Sequence, residues 1–330
     1  MEYSFLGRYI LVRFSLVSEK GTLMSTSAPS LPPARRVVRL HAPGGPANLV
    51  VEEIEIPRPA PGEVLVQVHA AAITRGELEW PVDRLPAIPS YELSGVVAAT
   101  GADGEAPNVG DAVFALTPFD RDGAAADFSV VPAVCLAPKP LSLGHVESAA
   151  LPMAGLTAWQ GLFLHGALEE GQRVLIHGAA GGVGHIACQL ARWRGAHVMA
   201  TATGAGVEAA REFGAHEVMD RAGTRFEDVV GLVDLVFDTV GGDALVRSGS
   251  VLREGGRIVS VAEEPPEGVQ ATYFVVEPDR EQLVELARLV DEEAVRPAID
   301  SVFPLASAVK AFERVMAPGK RGKVVLEVQR

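Results

Sequence analysis

Residues 173–192 read RVLIHGAAGGVGHIACQLAR, and no other stretch limits the fold of this chain so strongly. A short, mostly apolar run ends at Gly178. The seven residues from Gly178 to Gly184 hold four glycines and two alanines. Val183, Ile186, Ala187, Leu190 and Ala191 then recur at i, i+3, i+4, i+7 and i+8, the period of a buried helix face. A strand, a turn stripped of side chains and a helix N-terminus, in that order, predict an anionic diphosphate lying on the turn. Backbone N–H groups and the helix dipole favour the anion, and a Cβ would hold it away. Gly181 and Gly184 fill the second and third places of G-x-G-x-x-G, and Ala179 stands at the first. A tight turn that binds nothing can carry the same letters, so the surrounding pattern has to decide.

That pattern is regular. HVMATAT reads as a strand, VEAAREFG as a helix, EVMD and VDLVFDTV as strands, DALVRSGSVL as a helix and RIVSV as a strand. Strands alternating with helices predict a doubly wound parallel sheet over 151–276. Upstream, RVVRLHA, NLVVEEIEI, EVLVQVHAAAI, SGVVAAT, DAVFALT and DFSVVPA are short β-rich runs between Gly/Pro turns. They predict a small, mostly antiparallel barrel or sandwich over 35–150. ALPMAGLTAWQGLFLHG, between the two regions, has a helical period. DREQLVELARLV, ASAVKAFERVMA and the strand KVVLEV make a tail too short for a third domain. Residues 277–330 are therefore expected to return and complete the first domain.

Residues 1–34 stand apart. Arg8 and Arg13 interrupt their apolar run, so a continuous signal-peptide core is missing, and the second half is rich in Ser and Pro. They read as a disordered or appended segment. The alternation in YILVRFSLV leaves a strand open there, and Met24 is an alternative start.

Composition narrows the function. With 48% hydrophobic and 22% charged residues, 330 residues suit two globular domains. A formal charge of −13 argues against nucleic acid or an anionic membrane surface as partner. Two cysteines cannot build a disulfide framework or a four-ligand zinc site, and the simplest location is a reducing cytoplasm. No stretch has the length and apolarity of a membrane span. The end of the second parallel strand selects the dinucleotide. An acid there would grip the ribose 2′-OH of NAD, but HVMATAT ends in Thr203 and Gly204, which favours NADP(H). Arg221, after the third strand, is the nearest candidate partner for a 2′-phosphate. A solvated surface arginine is the competing reading.

PGEVLVQVHAAAI, GLTAW, HGAAGGVGHIACQLAR, FDTVGG and the terminal GKRGKVVLEV together resemble the medium-chain dehydrogenase/reductase family, specifically its zinc-free quinone oxidoreductase branch. The resemblance runs from about Arg36 to Val328. It implies an α/β protein with a GroES-like β-barrel catalytic domain and a Rossmann domain. A cleft between them would take NADP(H) and a small quinone or enone, and the assembly would be a homodimer. Carried over by position, Thr157 should lie near the nicotinamide or its phosphate. Ala180, Gly181, Gly182, Val183 and Gly184 should hold the pyrophosphate, and Thr203 should face the adenosine ribose. Val240, Val261, Phe274, Val275 and Val276 should line the nicotinamide side.

The departures carry information too. Zinc-dependent relatives hold the catalytic metal with Cys, His and Cys, and those places here are Thr74, Tyr91 and Met153. None is a competent zinc ligand, so no metal is expected. Zinc-free relatives commonly read N-P-x-D where this chain has Thr74-Arg75-Gly76-Glu77. Hydride addition to an acceptor places charge on its oxygen, and the hydroxyls of Tyr91 and Thr74 are the candidate donors to it. For Tyr91 a packing role competes. Trp80 is expected as an apolar wall or as core, and Glu92 as a structural acid paired with a backbone or Arg group. His177 and His185, which flank the glycine loop, read as strand and helix surface residues. Three readings stay open: a quinone or enone reductase, an enoyl-thioester reductase, and an NADPH-binding protein without catalysis.

Overall fold

Two hydrophobic patterns, one of period two and one continuous, give two different sheets. The computed structural model describes residues 31–80, 83–101 and 106–329. The chain opens with an antiparallel pair, β1 (Ala34–Leu40) and β2 (Leu49–Glu55). Next come β3 (Glu63–Ile73), β4 (Glu92–Thr100), β5 (Ala112–Leu116), β6 (Phe128–Pro132) and β7 (Leu136–Pro138). Helices α1 (His145–Ala149) and α2 (Pro152–Trp159) follow, and α2 runs on as a π-helical stretch, Gln160–His165.

The alternating region then gives β8 (Arg173–His177), α3 (Gly184–Trp193), β9 (His197–Ala202), α4 (Gly206–Glu212) and β10 (Glu217–Asp220). It continues with β11 (Val233–Asp238), α5 (Asp243–Arg247), β12 (Leu252–Ser260) and β13 (Thr272–Tyr273). These strands are parallel, in the spatial order β10-β9-β8-β11-β12-β13. The order reverses between β8 and β11, which opens a crevice at the carboxyl ends of the strands, where such sheets bind ligands. Val174, Leu175 and Ile176 of β8 are fully buried, as befits a central strand covered on both faces.

The last elements are α6 (Arg280–Asp291), β14 (Ile299–Pro304), α7 (Ala308–Met316) and β15 (Lys323–Glu327). Asp279 caps α6, its carboxylate accepting the N–H of Gln282 at 2.9 Å. β15 lies antiparallel to β3 and β14 lies parallel to β15. The tail thereby extends a sheet ordered β14-β15-β3-β4-β5-β7, with β6 also on β3.

The architecture is the α/β combination that the sequence implies, a GroES-like barrel sheet and a Rossmann sheet. Four elements carry no clear sequence signal: β7, α1, β13 and β14. β14 reads IDSVFP, with Asp300 turned to Arg314 at 2.7 Å, and its partner strand is β15, which lies later in the chain. β1 begins at Ala34, one residue inside the segment expected to be an appendage. The rest of that expectation, YILVRFSLV included, falls on residues 1–30 and lies outside the described residues. Among the described residues no helix is long and apolar enough to cross a membrane.

Candidate active site

The turn after β8 bends at Gly178, whose φ is +78°. This positive-φ residue precedes Ala179, the motif's nominal first position, and explains how an alanine is tolerated there. A Cβ on Gly184 would meet the Gly178 carbonyl oxygen at 2.3 Å, so α3 presses directly on the loop. The Gly181 N–H is used inside the loop, donating to Gly178 O at 2.9 Å. The N–H groups of Gly182, Val183 and Gly184 have no acceptor among the described residues. These are the open donors of a helix N-terminus. A Cβ on Gly182 would lie 3.3 Å from Lys323 Cδ and 3.6 Å from Lys320 Nζ. A side chain at Gly182 would therefore fill the space between the loop and two lysines. Gly322 N–H donates to Ala180 O at 3.0 Å and ties the GKRGK turn to the loop. Burial, then the neighbouring Lys323, lowers the Lys320 pKa to about 8. Open amides, a helix N-terminus and the Lys320 ammonium form a cradle that fits a dinucleotide diphosphate.

The two flanking histidines are not surface residues, contrary to the expectation from sequence. Both are fully buried. His177 lies against Thr201 Oγ1 at 3.0 Å and Ser248 Oγ at 3.1 Å. His185 accepts the Ala298 N–H on Nε2 at 2.9 Å, so its proton sits on Nδ1 and is donated to Gly181 O at 2.9 Å. Burial holds both rings neutral, with pKa values of about 3 for His177 and about 4 for His185. His185 thus pins the glycine loop to the segment entering β14. The sequence hides this because a histidine beside a loop looks the same whether it faces water or a carbonyl.

Thr203 and Gly204 follow β9 and are exposed. Arg221 follows β10, its N–H on Ala202 O at 3.0 Å. With Arg225, Arg247, His177 and Asp243 it lines a cavity of about 400 Å³. Arg225 and Arg247 both pair with Glu227, whereas Arg221 has no carboxylate partner among the described residues. Val240, Val261 and Phe274 to Val276 follow β11, β12 and β13, so topology sets them along the same sheet edge as the glycine loop. Gln160, on the π-helical stretch, holds Glu277 from both sides: Nε2 donates to its O at 2.9 Å, and Oε1 accepts its N–H at 3.1 Å. Thr157 is buried and its hydroxyl donates to Met153 O at 2.6 Å.

A second polar cluster joins the barrel, α2 and β15. Lys323 Nζ donates to Thr74 Oγ1 at 2.9 Å and pairs with Glu92. Glu92 also accepts the Met153 N–H at 2.9 Å. Its partners are thus a backbone amide and a lysine, where an arginine was the expected alternative. Glu77 accepts the N–H groups of Thr74 at 3.0 Å and Ser90 at 3.2 Å. Burial, against these donors, raises its pKa to about 8. The Tyr91 ring is fully buried, flanked by Phe119 and by Trp80, which is itself 41% exposed. The Tyr91 phenol oxygen accepts from Arg84 at 2.9 Å. The structure therefore brings Thr74 into a charged cluster and puts Tyr91 behind an aromatic wall. Lys323 and Lys320 escape a residue-by-residue reading, although three basic residues beside two glycines in GKRGK are a visible signal of phosphate-type chemistry.

Comparison with known proteins shows the family to which this fold belongs. The model of the alcohol dehydrogenase GroES-like domain matches residues 60–141, and that of the zinc-binding dehydrogenase matches residues 213–326. The chain is 31% identical to "Probable zinc-binding oxidoreductase, mitochondrial" of Arthroderma benhamiae, covering 92% of this chain and 99% of that protein. It is 30% identical to the chloroplastic NADPH-dependent alkenal/one oxidoreductase of Arabidopsis thaliana, covering 85% and 74%. The solved structure of the quinone oxidoreductase from Coxiella burnetii superposes with a TM-score of 0.83 at 30% identity, covering 90% and 100%. The chain belongs to the medium-chain dehydrogenase/reductase family, in its quinone oxidoreductase branch. Members of this family are oxidoreductases.

Proposed function

We propose that this protein is an NADPH-dependent reductase of quinones or α,β-unsaturated carbonyls that works without zinc. The observation that carries the reading is the content of the family's three zinc-ligand positions. Thr74, Tyr91 and Met153 stand there, with the Lys323 ammonium on Thr74. A hydroxyl and an ammonium can stabilise an enolate or quinol oxygen, whose charge is delocalised, with far less help than a localised alkoxide needs. When bound, the nicotinamide supplies the hydride. The chain's own part is to hold the diphosphate at Gly182 to Gly184 and Lys320, and to orient the acceptor between Trp80 and the strand-end residues Val240, Val261 and Phe274 to Val276. Thr203 and Arg221 serve the adenosine ribose and its 2′-phosphate, which sets the preference for NADPH.

Two further features support the wider reading. β13 is the outer strand of its sheet, with Tyr273 and Val275 exposed beside it, a free edge that suits a homodimer. Cys135 and Cys188 are unpaired and buried, which suits a reducing compartment such as the cytoplasm. The test is NADPH oxidation against a panel of quinones, enones and enoyl thioesters, with elemental analysis of untagged protein. Turnover of quinones or enones by protein holding far less than one zinc per chain supports the proposal. Turnover of thioesters alone transfers it to an enoyl-thioester reductase. Tight NADPH binding without any turnover makes the protein a non-catalytic nucleotide binder.

A further inference from the structure

We propose that Lys323 acts through Thr74 as the charged element of the cleft, compelling the Thr74 hydroxyl to donate toward the substrate oxygen on which charge develops. The inference rests on the reductase reading above. An ammonium group can only donate hydrogen bonds. Thr74 Oγ1 accepts from Lys323 at 2.9 Å, so the single hydroxyl proton must point elsewhere. Among the described residues no acceptor takes it. The hydroxyl is a donor by compulsion, with a positive charge directly behind it.

The arrangement is fixed on several sides. β15 pairs with β3 so that Val324 faces Ile73, which sets Lys323 and Thr74 side by side at the ends of adjacent strands. The Lys323 backbone N–H donates to Ala298 O at 2.8 Å. Its ammonium is paired with Glu92, which the Met153 N–H holds in turn. The Thr74 backbone is held by Glu77. Lys323 is only 3% exposed, while Thr74 is partly open. Thr74 is therefore the residue that meets the substrate, and Lys323 the positioning residue behind it. Away from water the pair gains strength, because little solvent screens the ammonium and the hydroxyl need not reorient as charge develops.

The test combines kinetics with a binding probe. Thr74→Val removes the hydroxyl at constant size and should lower kcat about 100-fold, with NADPH affinity preserved. Thr74→Ser should restore kcat to within about threefold, since the hydroxyl returns. The double variant Lys323→Met/Glu92→Gln removes both charges together and should lower kcat about 10- to 100-fold. Adding Thr74→Val to it should bring the total loss to about the 100-fold of Thr74→Val alone and no further, because the groups act as one unit. An unchanged kcat in Thr74→Val, or fully additive losses, overturns the inference. If the double variant does not fold, the Thr74 pair still decides. Independently of turnover, 4-nitrophenol bound with NADP+ should show a lower pKa by absorbance on the wild type than on Thr74→Val. Equal pKa values, or equal weak binding to both, also overturn it. A protein that reduces no acceptor fails the functional proposal instead, and the nitrophenol titration then still reports on the pair.

Discussion

Lys323 and Glu92 face each other as an ion pair in the protein interior, with 3% and 0% of their surfaces exposed. β3 lies between their strands, so the pair ties the C-terminal strand to β4 across the sheet. Both charges have lost their water, and each is tolerated only because of the other. Removing one partner should therefore cost more than removing both. Lys323→Met alone is expected to lower stability by about 3–5 kcal/mol, and Lys323→Met/Glu92→Gln by clearly less. Urea denaturation of the three proteins checks it, and a double variant no more stable than the single one refutes it.

The glycine loop divides into structural and ligand-facing positions. Gly184→Ala drives a Cβ onto a backbone oxygen and should destabilise the fold by about 2 kcal/mol or more. Gly182→Ala meets Lys323 Cδ at 3.3 Å, Lys320 Nζ at 3.6 Å and Gly322 O at 3.7 Å, none of them closer than 3 Å, so stability should change by no more than about 1 kcal/mol. Its NADPH affinity should nevertheless fall about tenfold, because the methyl group takes the diphosphate's space. Thermal unfolding and NADPH titration of both variants separate the two effects.

Arg221 and Lys320 should differ in what they recognise. Arg221→Ala is expected to weaken NADPH by about 1.5–3 kcal/mol and to leave NADH nearly unchanged, as for a contact to the 2′-phosphate. Lys320→Met should weaken both cofactors alike, since both carry the diphosphate. Calorimetric titration with NADPH, NADH and ADP distinguishes these patterns. Equal losses of NADPH and NADH in Arg221→Ala would return that residue to a supporting role.

His185 makes the loop sensitive to acid. Its pKa falls from 6.5 in the unfolded chain to about 4, so the folded protein binds fewer protons between those values. The stabilisation is fully present above pH 6.5 and is lost as pH falls toward 4, at about 1.4 kcal/mol per pH unit. Glu77 has the opposite sign, because its pKa is raised to about 8 and its contribution is lost as pH rises. The comparison is therefore made against His185→Gln at each pH. The variant should be less stable than the wild type at pH 7.5 and should close the gap at pH 5. A gap independent of pH would show that the ring does not titrate on unfolding.

Tyr91→Phe tests the other hydroxyl. The phenol oxygen accepts from Arg84, which leaves its proton free, but the ring is fully buried behind Trp80, so the loss of kcat should stay below about tenfold. Steady-state kinetics beside Thr74→Val gives the ranking. A larger loss in Tyr91→Phe would make the phenol the principal donor.

Much of the scaffold is legible in the letters. EVLVQVHAAAI, RVLIH and EVMD coincide with β3, β8 and β10 to the residue, because turn residues bound each run and no alternative period competes. The helix after the glycine loop follows from its apolar spacing, and Ile186, Ala187, Leu190 and Ala191 are indeed fully buried. β14 is illegible for the converse reason. Asp300, Ser301 and Pro304 give it no strand pattern, and its partner strand arrives only from a later part of the chain.

The sequence by itself determined the two sheet types, the anion-ready turn at Gly178 to Gly184 and the chemical identity of Thr74, Tyr91 and Met153. These depend on spacing and side-chain type within short windows. Only the tertiary structure decided which groups meet. Lys323 reaches Thr74 from 249 positions away, and His185 reaches Ala298 from 113. Whether a histidine is a surface ring or a neutral bridge, and whether a lysine is a solvated charge or a buried donor, depends on the atoms that replace its water. Those atoms come from distant segments, so strand register and domain packing choose them, and no local pattern in the sequence encodes the choice.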